Sequence, residues 1–240
     1  MANYYIYGLN TVKSSIESGR VISAVIQKDS KATSLINLLK EKKISYTLVN
    51  KDALNKLTKN ANHQGIAALV EEYKTISLEK FINKSKNLTK SIVIMLDNIE
   101  DPHNLGAILR IADAFKVDAV IFKKAHQVGL TETVAKVSTG AINYIDCVEV
   151  SNLSNALKEL KNVGYWAYAT DMDGEQAYNQ VNYADKSVII IGSEGFGISR
   201  LVKENSDVLI QIPMFGHVNS LNASTACAIV TCYLSQLQNK

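Results

Sequence analysis

Three stretches of this chain gather residue types that could do chemistry. The first, Asp97 to Asn104 (D-N-I-E-D-P-H-N), is polar and leads into Arg110 and Asp113. In the second, Ile189 to Ser199 (I-I-I-G-S-E-G-F-G-I-S), Glu194 sits among three glycines in six residues. Glycine tolerates positive φ and lets a backbone come close to a ligand. The third stretch, Pro213 to Ser224, crowds Asn219, Ser220, Asn222 and Ser224 at the expected start of a helix. Capping uses one or two of them, and the surplus favours contact with a ligand. After Asn104, an expected N-cap, Leu105, Ile108, Leu109 and Ala112 form an apolar helical stripe, while Gly106, Arg110 and Asp113 line another face. An arginine one to two turns from a helix start suits an anion; a surface ion pair with Asp113 is the alternative reading.

Other chemistries fit less well. The pattern G-x-x-G-x-G from Gly192 departs from the dinucleotide fingerprint G-x-G-x-x-G. A phosphate loop needs a lysine where Ile198 precedes Ser199, which disfavours triphosphate hydrolysis. Ser193 approaches the hydrolase elbow G-x-S-x-G, but Ile191 holds the first glycine position. Cys147, Cys227 and Cys232 lack zinc spacing and cannot all pair, so they read as buried reduced thiols of a cytoplasmic protein. In the turn His63-Gln64-Gly65 the imidazole either touches a ligand or satisfies turn hydrogen bonds. His126 and His217 read as loop residues without a role.

The elements that must position these residues follow from periodicity. Residues 1–73 read as a small α/β unit: helix 9–18, strand 21–26, helix 30–43, strand 46–49, helix 52–57 and strand 66–70. Residues 74–90 carry five lysines and few large apolar side chains, and read as a linker with one turn capped by Ser77. From Ser91, strands at 92–96, 119–122, 145–150, 165–169, 188–191 and 208–212 alternate with helices at 105–115, 131–137, 153–161, 198–205 and 221–237. That alternation predicts a mainly parallel sheet covered on both faces. Ligands of such sheets lie beyond the carboxyl ends of the strands, where the loops after Leu96, Ile191 and Ile212 fall. The small residues of the last helix, Ala226, Ala228 and their neighbours, suit either a packed core or a subunit interface.

Of 240 residues, 47% are apolar and 20% charged, enough for real cores. No apolar run approaches the roughly 20 residues that span a bilayer, and the first residues lack the pattern of a signal peptide. Net charge is +3, unevenly spread: residues 1–90 hold 15 Lys/Arg against 7 Asp/Glu, and residues 91–240 hold 11 against 16. A basic front and an acidic back suggest that the front meets a polyanion; a solvated lysine-rich surface is the other reading.

Taken together, D-P-H-N-L-G-A-I-L-R (101–110), I-I-I-G-S-E-G-F-G-I (189–198) and I-P-M-F-G-H-V-N-S-L-N-A-S (212–224) are similar to the three motifs of the SpoU (TrmH-like) family of RNA ribose 2′-O-methyltransferases. Residues 1–73, with Tyr7-Gly8 and His63-Gln64-Gly65, resemble the substrate-binding domain of the branch that methylates a guanosine of large-subunit ribosomal RNA. The resemblance implies a small N-terminal α/β domain, L30e-like, that binds RNA at 1–73. It implies a methyltransferase domain at 91–240, SPOUT-like, with a deep trefoil knot. S-adenosyl-L-methionine would be the methyl donor, held around Gly192, Glu194, Ile212, Met214, Leu221 and Ser224, with no metal. Arg110, Asn104, Glu194, Ser220 and Asn222 would be catalytic. The partners implied are ribosomal RNA and a second copy docked through the C-terminal helix, with no membrane. A transfer-RNA methylase of the same family and a non-catalytic RNA-binding protein of this fold are the alternatives.

Overall fold

The structure is a computed structural model that describes residues 3–124 and 129–239, so His126 lies outside the described residues. In chain order its elements are β1 (Tyr4–Tyr7), α1 (Leu9–Glu17), β2 (Val21–Gln27), α2 (Ile36–Glu41, entered through a 3-10 turn Lys31–Leu35), β3 (Ser45–Val49), α3 (Lys51–Leu57), β4 (Ile66–Val70) and α4 (Leu78–Ser85). Then come β5 (Ser91–Asp97), α5 (Pro102–Ala114), β6 (Ala119–Lys123), α6 (Glu132–Val137), β7 (Asp146–Val150), α7 (Leu153–Lys161), β8 (Trp166–Thr170), β9 (Gln176–Ala177), β10 (Lys186–Gly192), α8 (Arg200–Asn205), β11 (Val208–Gln211) and α9 (Ala223–Gln238). They divide into two compact units, Met1–Lys74 with Leu130–Tyr144, and Thr75–Gly129 with Ile145–Lys240.

The first unit holds a four-stranded sheet in the order β1-β4-β2-β3, with β2 and β3 parallel and the other pairs antiparallel. Ile6, Ile26, Leu39, Leu54 and Ile66 form its buried interior. Residues 130–144, expected as part of the later sheet domain, pack into this unit. The Asn143 amide explains why: its Nδ2 donates to Ser14 Oγ (3.0 Å), Ser15 Oγ (3.3 Å) and Gly140 O (3.1 Å). Its Oδ1 accepts from Ser18 Oγ and Arg20 Nη1, each at 3.3 Å. Ser14 and Ser15 are buried, and buried hydroxyls need such partners. Lys136 also places its ammonium 4.4 Å from the centroid of the Tyr7 ring, a cation–π geometry.

The second unit is built on a seven-stranded, all-parallel sheet in the order β7-β6-β5-β10-β8-β11-β9. Every residue of β5 is buried, the continuous apolar run expected of a strand covered on both faces. Its interior joins Val93, Met95, Ile121, Val188 and Ile190 to Leu157 and Leu160 of α7. The stretch 74–90, expected as a linker, also contributes. Ser77 caps α4 by accepting the Lys80 N–H at 3.2 Å, as the sequence suggests. The helix then runs eight residues and buries Phe81 and Ile82 in the same core. Five lysines mask an amphipathic helix whose Phe81 ring packs 6.4 Å from that of Tyr165.

Strand order positions the site. From β5 the order runs outward through β6 and β7; from β10 it runs the other way through β8, β11 and β9. Between β5 and β10 lies the switch point at which parallel α/β sheets bind ligands. Their register sets Asp97 opposite Gly192, so the first two polar stretches leave the sheet side by side.

Candidate functional site

The glycine loop begins where β10 ends. Ser193 and Gly197 pair across it, Ser193 N–H to Gly197 O at 3.2 Å and Gly197 N–H to Ser193 O at 2.9 Å. Gly197 has φ 64°. A Cβ on Gly192 would lie 2.3 Å from the carbonyl carbon of Gly197, so this closure requires glycine at 192. Ser193 Oγ accepts the Phe196 N–H at 3.3 Å; it closes the turn, which answers the hydrolase-elbow reading. The effect of the loop is to hold Glu194, Gly195 and Phe196 out from the sheet, all three exposed.

From the neighbouring strand, the chain passes through Asn98 at φ 58° into α5. This helix starts earlier than expected. Its N-cap is Asp101, whose side chain accepts the His103 N–H at 2.8 Å, and Pro102 takes the first helical position, which its fixed φ suits. Asn104, expected as the cap, therefore sits inside the first turn with its amide free to reach across. The third segment arrives through 212–222 and ends at Asn222, the N-cap of α9, whose Oδ1 accepts from Ser224 N (2.9 Å), Ser224 Oγ (2.6 Å) and Thr225 N (3.4 Å).

Three predicted residues meet directly. Asn222 Nδ2 donates to Asn104 Oδ1 at 2.9 Å and to Glu194 Oε1 at 2.5 Å, and Asn104 Nδ2 donates to the same Glu194 oxygen at 3.5 Å. Ser224 joins through the Asn222 carbonyl. Asn222 thus spends its oxygen on the start of α9 and its amide on the other two segments, which explains why a residue with both a donor and an acceptor stands there. Beside this network lies a cavity of about 620 Å³ lined by Asn98, Asn104, Asn222 and three carboxylate residues, Glu100, Asp101 and Glu194, with no lysine or arginine in its wall among the described residues.

Other expected residues lie outside that network. Gly192 is the base of the loop. Ile212, Met214 and Leu221 are half-buried in the segment between β11 and α9, and Ser220 is exposed there. Arg110 is exposed on α5, does not line the cavity and forms no ion pair with Asp113 among the described residues. Its guanidinium makes no hydrogen bond to them either, so it presents five donors to solvent.

Two model families match this chain. Residues 91–232 match the SpoU rRNA Methylase family, and residues 5–76 match the RNA 2′-O ribose methyltransferase substrate binding domain. The chain belongs to the SpoU rRNA methylase family. Among the relatives of this SpoU methylase is a putative TrmH family tRNA/rRNA methyltransferase of Staphylococcus epidermidis, 46% identical over 236 residues, covering 96% of this chain and 94% of the relative. A Staphylococcus aureus protein of the same description is 42% identical over 235 residues, with the same two coverages. The fold is that of the SpoU methyltransferase AviRb from Streptomyces viridochromogenes, solved in complex with AdoMet: TM-score 0.82, 20% identity, 99% of this chain and 91% of that one. The A. aeolicus TrmH/SpoU tRNA modifying enzyme aligns over 68% of this chain and 84% of its own, with TM-score 0.56 and 28% identity.

One site residue carried no expectation. Asp97, fully buried at the end of β5, accepts the Ser199 N–H through Oδ2 at 2.7 Å and so ties the exit of the glycine loop to the neighbouring strand. Its Oδ1 is buried without a hydrogen-bond partner among the described residues. A carboxylate closing an apolar run (S-I-V-I-M-L-D) was the signal for it. Two of the three cysteines are buried as expected, and burial pushes Cys147 and Cys227 up to about 12; Cys232 is only half-buried. No cluster of potential metal ligands occurs among the described residues.

Proposed function

We propose that this SpoU methylase transfers a methyl group from S-adenosyl-L-methionine to a ribose 2′-hydroxyl of RNA, with a guanosine of 23S ribosomal RNA as the target and the cytoplasm as its place of work. The observation that carries the reading is the Asn104–Glu194–Asn222 network, which closes three sequence-distant loops around one cavity at the switch point of the sheet. That cavity fits the donor in size, since ligand pockets run from about 300 to 1,000 Å³. It fits in charge as well, because carboxylates without a basic neighbour favour a cationic group and disfavour a phosphate. Of the residues expected to hold the donor, Glu194 lines that cavity; backbone groups at Gly192, Ile212 and Leu221, with Met214 and Ser224, lie in the adjoining segments outside its wall and would hold the rest of the donor, which supplies a methyl group already activated on a sulfonium.

The protein then has two tasks. It aligns the 2′-oxygen with the methyl carbon and the departing sulfur, and it favours loss of the hydroxyl proton. Asn104, Glu194, Ser220 and Asn222 shape and orient the pocket. Arg110 binds the phosphate next to the target ribose and stabilises the developing alkoxide. A guanidinium keeps its proton in proteins, so Arg110 is assigned no role as a base. Phe196, 91% exposed at the cavity rim, offers a ring on which an unpaired base can stack. In this reading the loops carry a trefoil knot, and two copies associate through α9, where Ala228, Ile229 and Cys232 are half-buried in the single chain.

A transfer-RNA substrate is the second reading, supported by the shared tRNA/rRNA description of the staphylococcal relatives. Ribosomal RNA is favoured because the tRNA-modifying A. aeolicus enzyme aligns with only 68% of this chain, while a substrate-binding module occupies residues 5–76. The test is transfer of labelled methyl to purified 23S ribosomal RNA and to bulk transfer RNA, followed by mapping of 2′-O-methyl groups. Label confined to transfer RNA would move the assignment to the second reading. Absence of label in both, with RNA still bound, would leave a non-catalytic RNA-binding protein.

A further inference from the structure

The first unit carries a second cavity, about 600 Å³, that the methyl-transfer site does not use. Its floor is the turn His63-Gln64-Gly65, built at a conformational cost: Gln64 has φ 52° and Gly65 φ 86°. Four hydrogen bonds hold it. Gly65 N–H donates to His63 Nδ1 at 2.9 Å, Ile66 N–H to His63 O at 3.1 Å, Gln27 N–H to Gly65 O at 2.8 Å, and Leu9 N–H to Gln64 Oε1 at 2.9 Å. A Cβ on Gly65 would lie 2.6 Å from Ser30 Oγ, so the turn is pressed against the next wall. His63 is buried and both its ring nitrogens are engaged, the second with Asn55 Oδ1 at 2.9 Å. The histidine is thus part of the frame, and the cavity wall carries the groups that face solvent.

Those groups are two ammoniums, Lys31 and Lys51, and two amides, Asn62 and Gln64. All four residues are exposed, and neither lysine forms an ion pair among the described residues. Unlike the acidic cavity of the second unit, this one suits an anion. Fixed cations attract phosphate without reading sequence, while the Asn62 amide offers the donor and acceptor pair that reads a base edge and Gln64, its oxygen spent on the Leu9 N–H, adds a donor. A basic recess of this volume, floored by a hydrogen-bonded turn, takes one unstacked nucleotide with its flanking phosphates, the form in which single-stranded RNA is recognised.

We infer that the cavity beneath Lys31, Lys51, Asn62 and Gln64 binds an unpaired nucleotide of the RNA substrate, at a site separate from the one that receives the methyl group. The inference rests on the RNA reading given under Proposed function and deepens it: substrate choice begins with capture of an unpaired residue in the first unit.

The test uses the full chain and two labelled RNA probes, a hairpin with an unpaired loop and the same stem closed as a blunt duplex. Lys31→Ala/Lys51→Ala is expected to weaken hairpin binding about tenfold or more and to flatten the salt slope by about 1.4, the loss of two single-strand phosphate contacts. Duplex binding should change less than about threefold, within the non-specific phosphate term. Lys40→Ala/Lys42→Ala removes the same charge from an exposed surface outside the cavity and should leave the hairpin preference intact. Asn62→Leu, at an exposed position, should lower hairpin affinity without altering the salt slope, and it keeps the test open if the double variant unfolds. Equal losses in the two lysine pairs, or no change in Asn62→Leu, overturn the proposal. Methyl transfer by the unaltered chain is measured in parallel; its absence would sink the methyltransferase reading and leave the hairpin comparison to decide this one.

Discussion

At residue scale the side chain that matters most is Asn222, which donates to Glu194 Oε1 at 2.5 Å and caps α9 with its oxygen. Asn222→Asp keeps the cap and sets two carboxylates against each other, so transfer should fall more than about tenfold, corresponding to about 1.4 kcal/mol or more of repulsion. Adding Glu194→Gln restores an amide–carboxylate pair with donor and acceptor exchanged. The double variant should recover structure, read as thermal stability, while transfer recovers only if the carboxylate need not stand at 194. A double-mutant cycle with no coupling would show that the pair does not act as a unit. Arg110→Lys tests the guanidinium: a large fall in single-turnover rate with near-normal RNA affinity supports a role at the reacting oxygen, and parallel losses support positioning alone. Cys147 and Cys227, both held up to about 12 by burial, should resist alkylation at pH 8 until the chain unfolds, because only the thiolate reacts. The identity of these residues could be read from motif resemblance. The division of labour at Asn222 could not, because it depends on Asn104 lying inside the first turn of α5, which Asp101 and Pro102 decide.

At the scale of elements, periodicity was informative wherever burial was continuous. The strands 92–96, 119–122 and 188–191 stand within one or two residues of their expected bounds because parallel strands buried on both faces leave long apolar runs. It failed for β1, where Y-Y-I-Y is short and half-buried, and for the two-residue β9. Lysines hid α4, whose buried face is only Phe81, Ile82 and Ser85. The segment 130–144 was misplaced because no local pattern says which unit a helix joins; that is settled by Asn143 bonding to Ser14 and Ser15. Asn143→Leu leaves those buried hydroxyls short of a partner and should cost the first unit about 1–3 kcal/mol in chemical denaturation. The turn under the second cavity makes a pH prediction. Burial, with Lys51 nearby, holds the His63 imidazole below its ordinary value, so the unfolded chain binds the proton more tightly. Stability of the first unit should therefore be flat above the ordinary histidine pKa of about 6.5 and fall as pH drops from there towards the lowered native value. His63→Gln should abolish that dependence; an unchanged acid limb would assign it to another group.

For the whole molecule, the charge asymmetry was legible from composition and the seam between units was not. A basic front and an acidic back suggest a cut near residue 90, yet α4 lies before it and buries Phe81 in the second unit. Deleting residues 1–90 should therefore destabilise what remains by about 3–5 kcal/mol, the cost of losing a large aromatic from a core. Retained native-like melting after that deletion would show that α4 is dispensable. No helix among the described residues is long and apolar enough to cross a membrane.

The first unit is assembled from two separate lengths of chain, and this has a consequence for its birth. During synthesis the segment before residue 75 must wait for some seventy more residues before Asn143 emerges to complete it. At about 5–20 residues per second that interval is roughly 4–14 s. For those seconds the nascent front module exposes Ser14, Ser15 and the face of α1 that Asn143 will later cover, a window in which a chaperone or the ribosome surface is its only cover.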